Sequence, residues 1–290
     1  MADFEYLEPA NLKEACTLLD HYGDGARLIA GGTAVTMWIG QRLLDPEALV
    51  SLARIPNFDY VRFDEQDGLR IGAGARHRDI EMAPAVRQHY PLLYDTFHNV
   101  AQPRIRYMGT AGGNLCTGDP STDPGASLMA LDAEVTLAST KGKRVLRVEE
   151  LFLDYYQTAL KPGEILTEVY VPAPIEGLGW AHIKFTPRTE EDFATVGVSV
   201  TLSVRSDQCE DIRLALNSVA PTILRARKAE EVVRGKRVTD ELLRVMGEVA
   251  ATEVDPTDDA RGSPDYKRDL VKVLVRRAAQ EALKRTNSIR

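Results

Sequence analysis

Two short glycine clusters constrain this chain more than any other feature. The first is Ala30-Gly31-Gly32-Thr33, directly after the mostly apolar run Ala26 to Ala30. The second is Gly109-Thr110-Ala111-Gly112-Gly113-Asn114, followed by the acidic turn Gly118-Asp119-Pro120-Ser121-Thr122-Asp123. A Gly-Gly pair lets backbone come close to a ligand and aim successive N–H groups at it, because no Cβ intervenes. Two such loops, each beside a hydroxyl residue, could grip one diphosphate from two sides. A dinucleotide is therefore the first ligand class to consider. Neither cluster is the G-x-G-x-x-G fingerprint or the P-loop G-x-x-x-x-G-K-[ST], so the usual NAD and ATP sites are disfavoured. Tight turns with no ligand are the simpler reading of either pair alone.

The rest of the chain limits the alternatives. Its 290 residues allow one large domain or two ordinary ones. A net charge of -7 argues against a general nucleic-acid binder. The basic residues Lys267, Arg268, Lys272, Arg276, Arg277, Lys284 and Arg285 read as the solvated side of a terminal helix. No apolar stretch reaches the roughly 20 residues of a membrane span, and the acidic start lacks a signal-peptide pattern. The cytoplasm is the expected compartment. Cys16, Cys116 and Cys209 lie far apart, and the five histidines show no ligand spacing. A disulfide framework, a zinc site or an iron–sulfur cluster made by this chain alone is not expected.

Periodicity and turn residues sketch the elements. Phe4–Leu7 reads as a strand, and Asn11 with Glu14 three residues on reads as a helix start. Further strands are expected at Arg27–Ala30, Ala48–Leu52, Tyr60–Phe63, Leu69–Ala73, Glu134–Ala138, Arg144–Val148 and Ile165–Val171. Helices are expected at Pro91–Val100 and Ala126–Leu131. Pro172-Ala173-Pro174 and Gly177-Leu178-Gly179 mark the best domain boundary. Beyond it lie strands at Trp180–Phe185, Val196–Val204 and Ile212–Val219. Helices follow at Arg225–Arg234, at Thr239–Glu253 and from Ser263-Pro264 onward.

The segment Gln102-Pro103-Arg104-Ile105-Arg106-Tyr107-Met108-Gly109-Thr110-Ala111-Gly112-Gly113-Asn114 resembles the signature of the FAD-binding medium subunit of molybdenum hydroxylases. That group includes the carbon monoxide dehydrogenase medium subunit and the FAD domain of xanthine dehydrogenase. Ala30-Gly31-Gly32-Thr33, Glu164-Ile165-Leu166 and Asp192-Phe193-Ala194 match as well, so the resemblance spans essentially the whole chain.

The resemblance implies an α+β fold. It consists of a vanillyl-alcohol-oxidase (PCMH)-type FAD-binding domain over residues 1–175, with subdomains of about 1–57 and 58–175. A C-terminal domain of a three-stranded antiparallel sheet with helices covers 176–290. It also implies that Ala30, Gly31, Gly32, Thr33 and Ala34 wrap the FAD diphosphate from one side, and Thr110, Gly112, Gly113 and Asn114 from the other. Asp123 falls where the family reaches a polar part of the cofactor, and Leu166 and Lys184 where it contacts the isoalloxazine. A lysine there favours an anionic reduced flavin. No residue of this chain is implied to be a catalytic acid or base.

The implied task is electron transfer. A small partner subunit would carry electrons through [2Fe–2S] clusters from a large molybdenum-cofactor subunit, in a dimer of heterotrimers. Thr33-Ala34 and Asp192-Phe193 depart from the common pattern, as Ser and Asp-Tyr are frequent there. No cysteine-rich insertion adds a further cluster. Two rivals differ in simple observables. A stand-alone FAD oxidase of the same fold would act without partners, and a cofactor-free binding module would show no flavin absorption.

Overall fold

The computed structural model describes residues 3–287. Its first layer is a small parallel sheet in the order Glu5–Leu7, Ala48–Ser51, Ala26–Ile29. Parallel pairing needs a crossover, and the helix Leu12–Tyr22 supplies one. Asn11 caps it as expected, accepting from Glu14 N at 2.9 Å, and Gly23 ends it at φ 53°. The strand Ala26–Ile29 then delivers the chain into the first glycine cluster, which leads into the short helix Val35–Gly40.

The second layer is a five-stranded antiparallel sheet. Its order is Val61–Asp64, Gly68–Gly72, Ile165–Val171, Glu134–Ser139, Gly142–Arg147. Ile165–Val171 sits in the centre, and its buried face joins Leu69, Ile71, Val135 and Leu137 in one apolar core. Short helices between Gly72 and Glu134 cover this sheet and carry the second glycine cluster.

The third sheet runs Gly179–Phe185, Val196–Arg205, Gln208–Asn217, Leu224–Arg225. It has four antiparallel strands rather than the three expected. The fourth is a two-residue edge just after Pro221, too short to leave a period-2 pattern. Cross-strand register divides its faces. Ala181, Val200 and Leu214 form one row and Ile183, Val198 and Leu216 the next, both facing the helices Arg227–Val233 and Pro264–Asn287, on which Asp240–Glu253 packs in turn. The alternate rows are His182-Ser199-Ala215 and Lys184-Gly197-Asn217. This polar face meets the helix Asp123–Ala130.

The terminal helix differs from expectation at Arg285, whose guanidinium lies 3.5 Å from the centre of the Trp180 ring, and most at Lys267. Lys267 is buried rather than solvated. It donates to Thr257 O and pairs with Asp259, both at 2.9 Å. Its partners lie in a loop whose position the helical pattern does not reveal.

The signature around residue 106 builds a buried charge hub. Glu81, 2% exposed, receives Arg78 at 2.7 Å, His98 at 2.8 Å and Arg106 at 3.2 Å. Arg106 also donates to Val100 O and Ala101 O, fixing the loop before the signature. Burial alone pushes the Glu81 carboxyl up. The hydrogen bonds from His98 and Arg78, with the charges of Arg106 and Arg78, hold it below the glutamate value of 4.5. A depressed carboxylate stabilises the fold above its unfolded pKa and loses that contribution as pH falls through the folded value. Glu81→Gln should therefore lower Tm at pH 7 and flatten the loss of Tm below pH 4.5. Thermal scans from pH 7 to pH 3 check this, and equal acid sensitivity in both proteins would contradict it.

Candidate functional site

The two glycine clusters meet. A Cβ on Gly31 would lie 1.9 Å from Met108 O and 3.0 Å from Gly109 Cα. Backbone therefore rests on backbone where the first cluster crosses the start of the second. Gly32 has φ +74°, a left-handed conformation. Among the described residues, the N–H groups of Gly31, Gly32, Thr33 and Ala34 make no hydrogen bond within the protein. Their carbonyl side is engaged, since Gly32 O accepts from Thr36 N at 3.0 Å and Thr36 Oγ1 at 2.7 Å. Successive unpaired N–H groups in such a turn form an anion-binding concavity.

The second cluster is organised differently from the expected loop. Residues Ala111–Thr117 form a short helix with Thr110 as its N-cap. Its N–H groups are already engaged. Ala111 N donates to Ala75 O, Gly112 N to Ala73 O and Asn114 N to Thr110 O, each at 2.9 Å. Gly113 N donates to Thr110 Oγ1 at 3.1 Å. Gly112 serves packing, because a Cβ there would lie 2.6 Å from Ala73 Cβ. Gly113 is exposed, and its Cβ position has only Thr110 Oγ1 within 4 Å, at 2.8 Å. The side chain of Asn114 is the other available group, with Oδ1 buried and unpartnered.

These features fit a diphosphate cofactor, with the division of labour changed. The first cluster offers N–H donors. The second offers an open, side-chain-free surface at Gly113, a hydroxyl at Thr110 and an amide at Asn114.

Asp123 and Lys184, far apart in sequence, are brought together. Lys184 Nζ lies 3.1 Å from Asp123 Oδ2 and donates to Asn99 O at 2.8 Å. The side chains are 7% and 5% exposed. Asn217 Nδ2 donates to Asp123 Oδ1 at 3.2 Å. Gly197 makes room for that amide, since a Cβ there would meet Asn217 Oδ1 at 1.9 Å. Asp123 also opens the helix Asp123–Ala130, where a carboxylate complements the helix dipole. Leu166 is buried in the central strand, beside a bulge between Leu166 and Glu168. Thr167 O, at the bulge, accepts from Ala73 N at 3.0 Å, and Ala73 O accepts from Gly112. Leu166 thus lies one strand away from the second cluster.

Sequence reasoning missed Asn99, Asn217 and His182. The last ends a buried chain of hydroxyls. Thr96 Oγ1 donates to Leu92 O at 2.7 Å, so it must accept from Ser127 Oγ at 2.5 Å. Ser127 then accepts from Ser199 at 2.9 Å, and Ser199 from His182 Nδ1 at 3.0 Å. The chain fixes the proton of His182 on Nδ1 and leaves Nε2 a bare, buried acceptor. Burial holds His182 below the usual histidine range despite the charge of Asp123. The period-2 pattern of Gly179–Phe185 put His182 and Lys184 on one face; nothing in it named Ser199 or Ser127 as their partners.

A run of free N–H donors beside a glycine-opened helix, on a fold of two α/β layers and a helix-backed sheet, suits a protein that binds a diphosphate-containing cofactor. The chain belongs to the molybdopterin dehydrogenase FAD-subunit family. Residues 2–174 match the model for the FAD binding domain in molybdopterin dehydrogenase, and 181–282 that for the CO dehydrogenase flavoprotein C-terminal domain. It is 34% identical over 279 residues to the carbon monoxide dehydrogenase medium chain of Hydrogenophaga pseudoflava, covering 96% of each chain. It is 32% identical to the nicotine 6-hydroxylase medium subunit of Paenarthrobacter nicotinovorans, covering 97% of this chain and 98% of the relative. Its fold superposes on carbon monoxide dehydrogenase from H. pseudoflava with a TM-score of 0.95 at 35% identity, covering 97% of this chain and 98% of the other. Quinoline 2-oxidoreductase from Pseudomonas putida 86 gives 0.91 at 28% identity, covering 98% of both. The chain is an FAD-binding medium subunit of the molybdenum hydroxylase class of oxidoreductases. No helix among its described residues is long and apolar enough to cross a membrane.

Proposed function

We propose that this subunit holds FAD between its two glycine clusters, receives electrons from a [2Fe–2S] partner subunit and hands them to a terminal acceptor. A large molybdenum-cofactor subunit oxidises the substrate, and the three chains assemble as a dimer of heterotrimers. FAD, when bound, supplies a carrier that fills one electron at a time and empties in pairs. The observation that carries the reading is the run of unpaired N–H groups at Gly31, Gly32, Thr33 and Ala34, on a segment whose backbone rests against Met108-Gly109 at the start of the second cluster. Those N–H groups bind and neutralise the diphosphate, so no lysine is needed. Ala30 leads into the nest. Thr110 Oγ1 and the Asn114 amide orient the opposite side.

Asp123 serves a polar part of the cofactor and at the same time anchors Lys184. Lys184 has three N–H donors and uses two, on Asp123 and Asn99 O; the third would be left for the isoalloxazine. Leu166 shapes the apolar wall beside it. The division near residues 175–176, with the FAD-binding portion before it and the helix-backed sheet after it, completes the proposed organisation.

The test is the composition of the native complex. Purification of this chain with its natural partners should bring flavin, iron and molybdenum through one chromatographic peak. Flavin eluting with this chain alone, active on a substrate without partners, would overturn the reading in favour of a self-contained oxidase.

A further inference from the structure

The signature segment carries an exposed feature that cofactor binding does not use. Its buried residues, Arg106 and Thr110, build the hub and the cap described above. Between them Tyr107 and Met108 face outward, 53% and 54% exposed. Large apolar groups seldom stand in the open beside one another without a partner.

The neighbouring helix His77–Met82 extends this surface. His77 N donates to Gly109 O at 2.9 Å, which ties the two segments together. The Arg78 guanidinium lies 5.7 Å from the centre of the Tyr107 ring. Met82, one turn beyond Arg78 on the same helix face, is 60% exposed. Arg76 and Arg104 flank the patch, both exposed, and neither makes a salt bridge among the described residues. At the surface of residues 76–82 and 102–109 stand Arg76, Arg78 and Arg104 against Asp79, with Arg78 also held by the buried Glu81. The patch is thus positive on a chain whose net charge is -7. Tyr, Met and Arg at the centre of a patch are the residue types enriched at protein interfaces.

The patch is also continuous with the candidate cofactor site. Met108 O is the atom against which Gly31 rests, and Met108 runs directly into Gly109-Thr110. A protein seated on Tyr107 and Met108 would lie beside the glycine clusters. Electron transfer between proteins falls steeply with separation, so a donor chain must dock close to the flavin.

We infer that Met82, Tyr107 and Met108, rimmed by Arg76, Arg78 and Arg104, form the docking surface for the partner that supplies electrons, which presents an acidic rim around an apolar centre. This inference rests on the proposed electron-transfer role. Charge complementarity of this kind mainly steers association, so binding should weaken with salt.

The test uses the reconstituted native complex and two variants, Tyr107→Asp and Arg104→Glu. Association with the [2Fe–2S] subunit is measured by biolayer interferometry at low and at 0.5 M salt, beside the flavin content and Tm of each chain. Tyr107→Asp should weaken association at least 10-fold with flavin content and Tm unchanged. Arg104→Glu should slow association at low salt and matter little at 0.5 M salt. Unchanged association in both variants would overturn the inference. So would loss of flavin in either, which would make the patch part of the cofactor site. A homodimer of the isolated chain that Tyr107→Asp dissolves would name a second copy as the occupant and also overturn it. If the wild-type chain binds no [2Fe–2S] subunit at all, the electron-transfer reading fails first, and the two failures remain distinct.

Discussion

Gly31→Ala should abolish FAD binding and lower the stability of the protein together. The added Cβ would sit 1.9 Å from Met108 O and 2.6 Å from Met108 C, and both are backbone atoms that no rotamer change can move. One cluster must shift away from the other. Overpacking of this kind typically costs about 1–3 kcal/mol, and more where backbone must move. The shift also displaces the N–H groups of Gly31, Gly32 and Thr33 from a common focus, so FAD affinity should fall by at least about 100-fold. Gly32→Ala is the contrasting control. Its Cβ would meet nothing closer than Ile29 Cδ1 at 3.4 Å, so only its φ of +74° opposes the change. That strain is about 1–2 kcal/mol, with a smaller loss of affinity. Fluorescence titration with FAD and thermal melts of both variants check the order. If Gly32→Ala proved the more damaging, the close approach of the two clusters would not be the organising contact.

Lys184→Met should be the most destabilising change outside the glycines. It removes the cation 3.1 Å from Asp123 Oδ2 and leaves a carboxylate buried with only the Asn217 amide. Breaking one side of a buried pair costs about 3–5 kcal/mol, because the remaining charge is uncompensated. Asn99 O also loses its donor. The double variant with Asp123→Asn should recover part of the loss, since a neutral amide in that position needs no counter-ion. Chemical denaturation of the two single variants and the double reads this coupling. Strict additivity would show that the pair is not an energetic unit, and that Lys184 acts through other contacts.

Residue types made some of this legible in the sequence. Asn11, Gly23 and Pro91 punctuate helices by local chemistry, and the structure places those ends where the chemistry asks. Ile165–Val171 was readable because a central strand is apolar and closed by Pro172. The neighbouring strands Glu134–Ala138 and Arg144–Val148 were readable as two short runs, and they pair with each other. The second glycine cluster was harder. Thr110 caps a helix whose first turn is Ala-Gly-Gly-Asn, and glycine is so poor a helix former that the cap signal is hidden.

Tertiary pairings were not legible from local pattern at all. The union of Asp123 with Lys184, the hydroxyl chain from Thr96 to His182 and the burial of Lys267 each depend on elements far apart in sequence. The resemblance named Asp123 and Lys184 individually; only the fold shows that they hold each other.

The proposed cofactor position sets FAD against the open face of Gly113. Gly113→Val tests it most directly. The new Cβ would crowd Thr110 Oγ1 at 2.8 Å and no other atom outside the helix backbone within 4 Å, so the protein should stay folded, with a loss of about 1 kcal/mol from the disturbed cap. Titration of the flavin-stripped proteins with FAD should give one equivalent bound to the wild type and no saturable binding to Gly113→Val. A variant that folds and binds FAD as tightly as the wild type would contradict the claim, and would leave the second cluster as a helix start with no ligand against it.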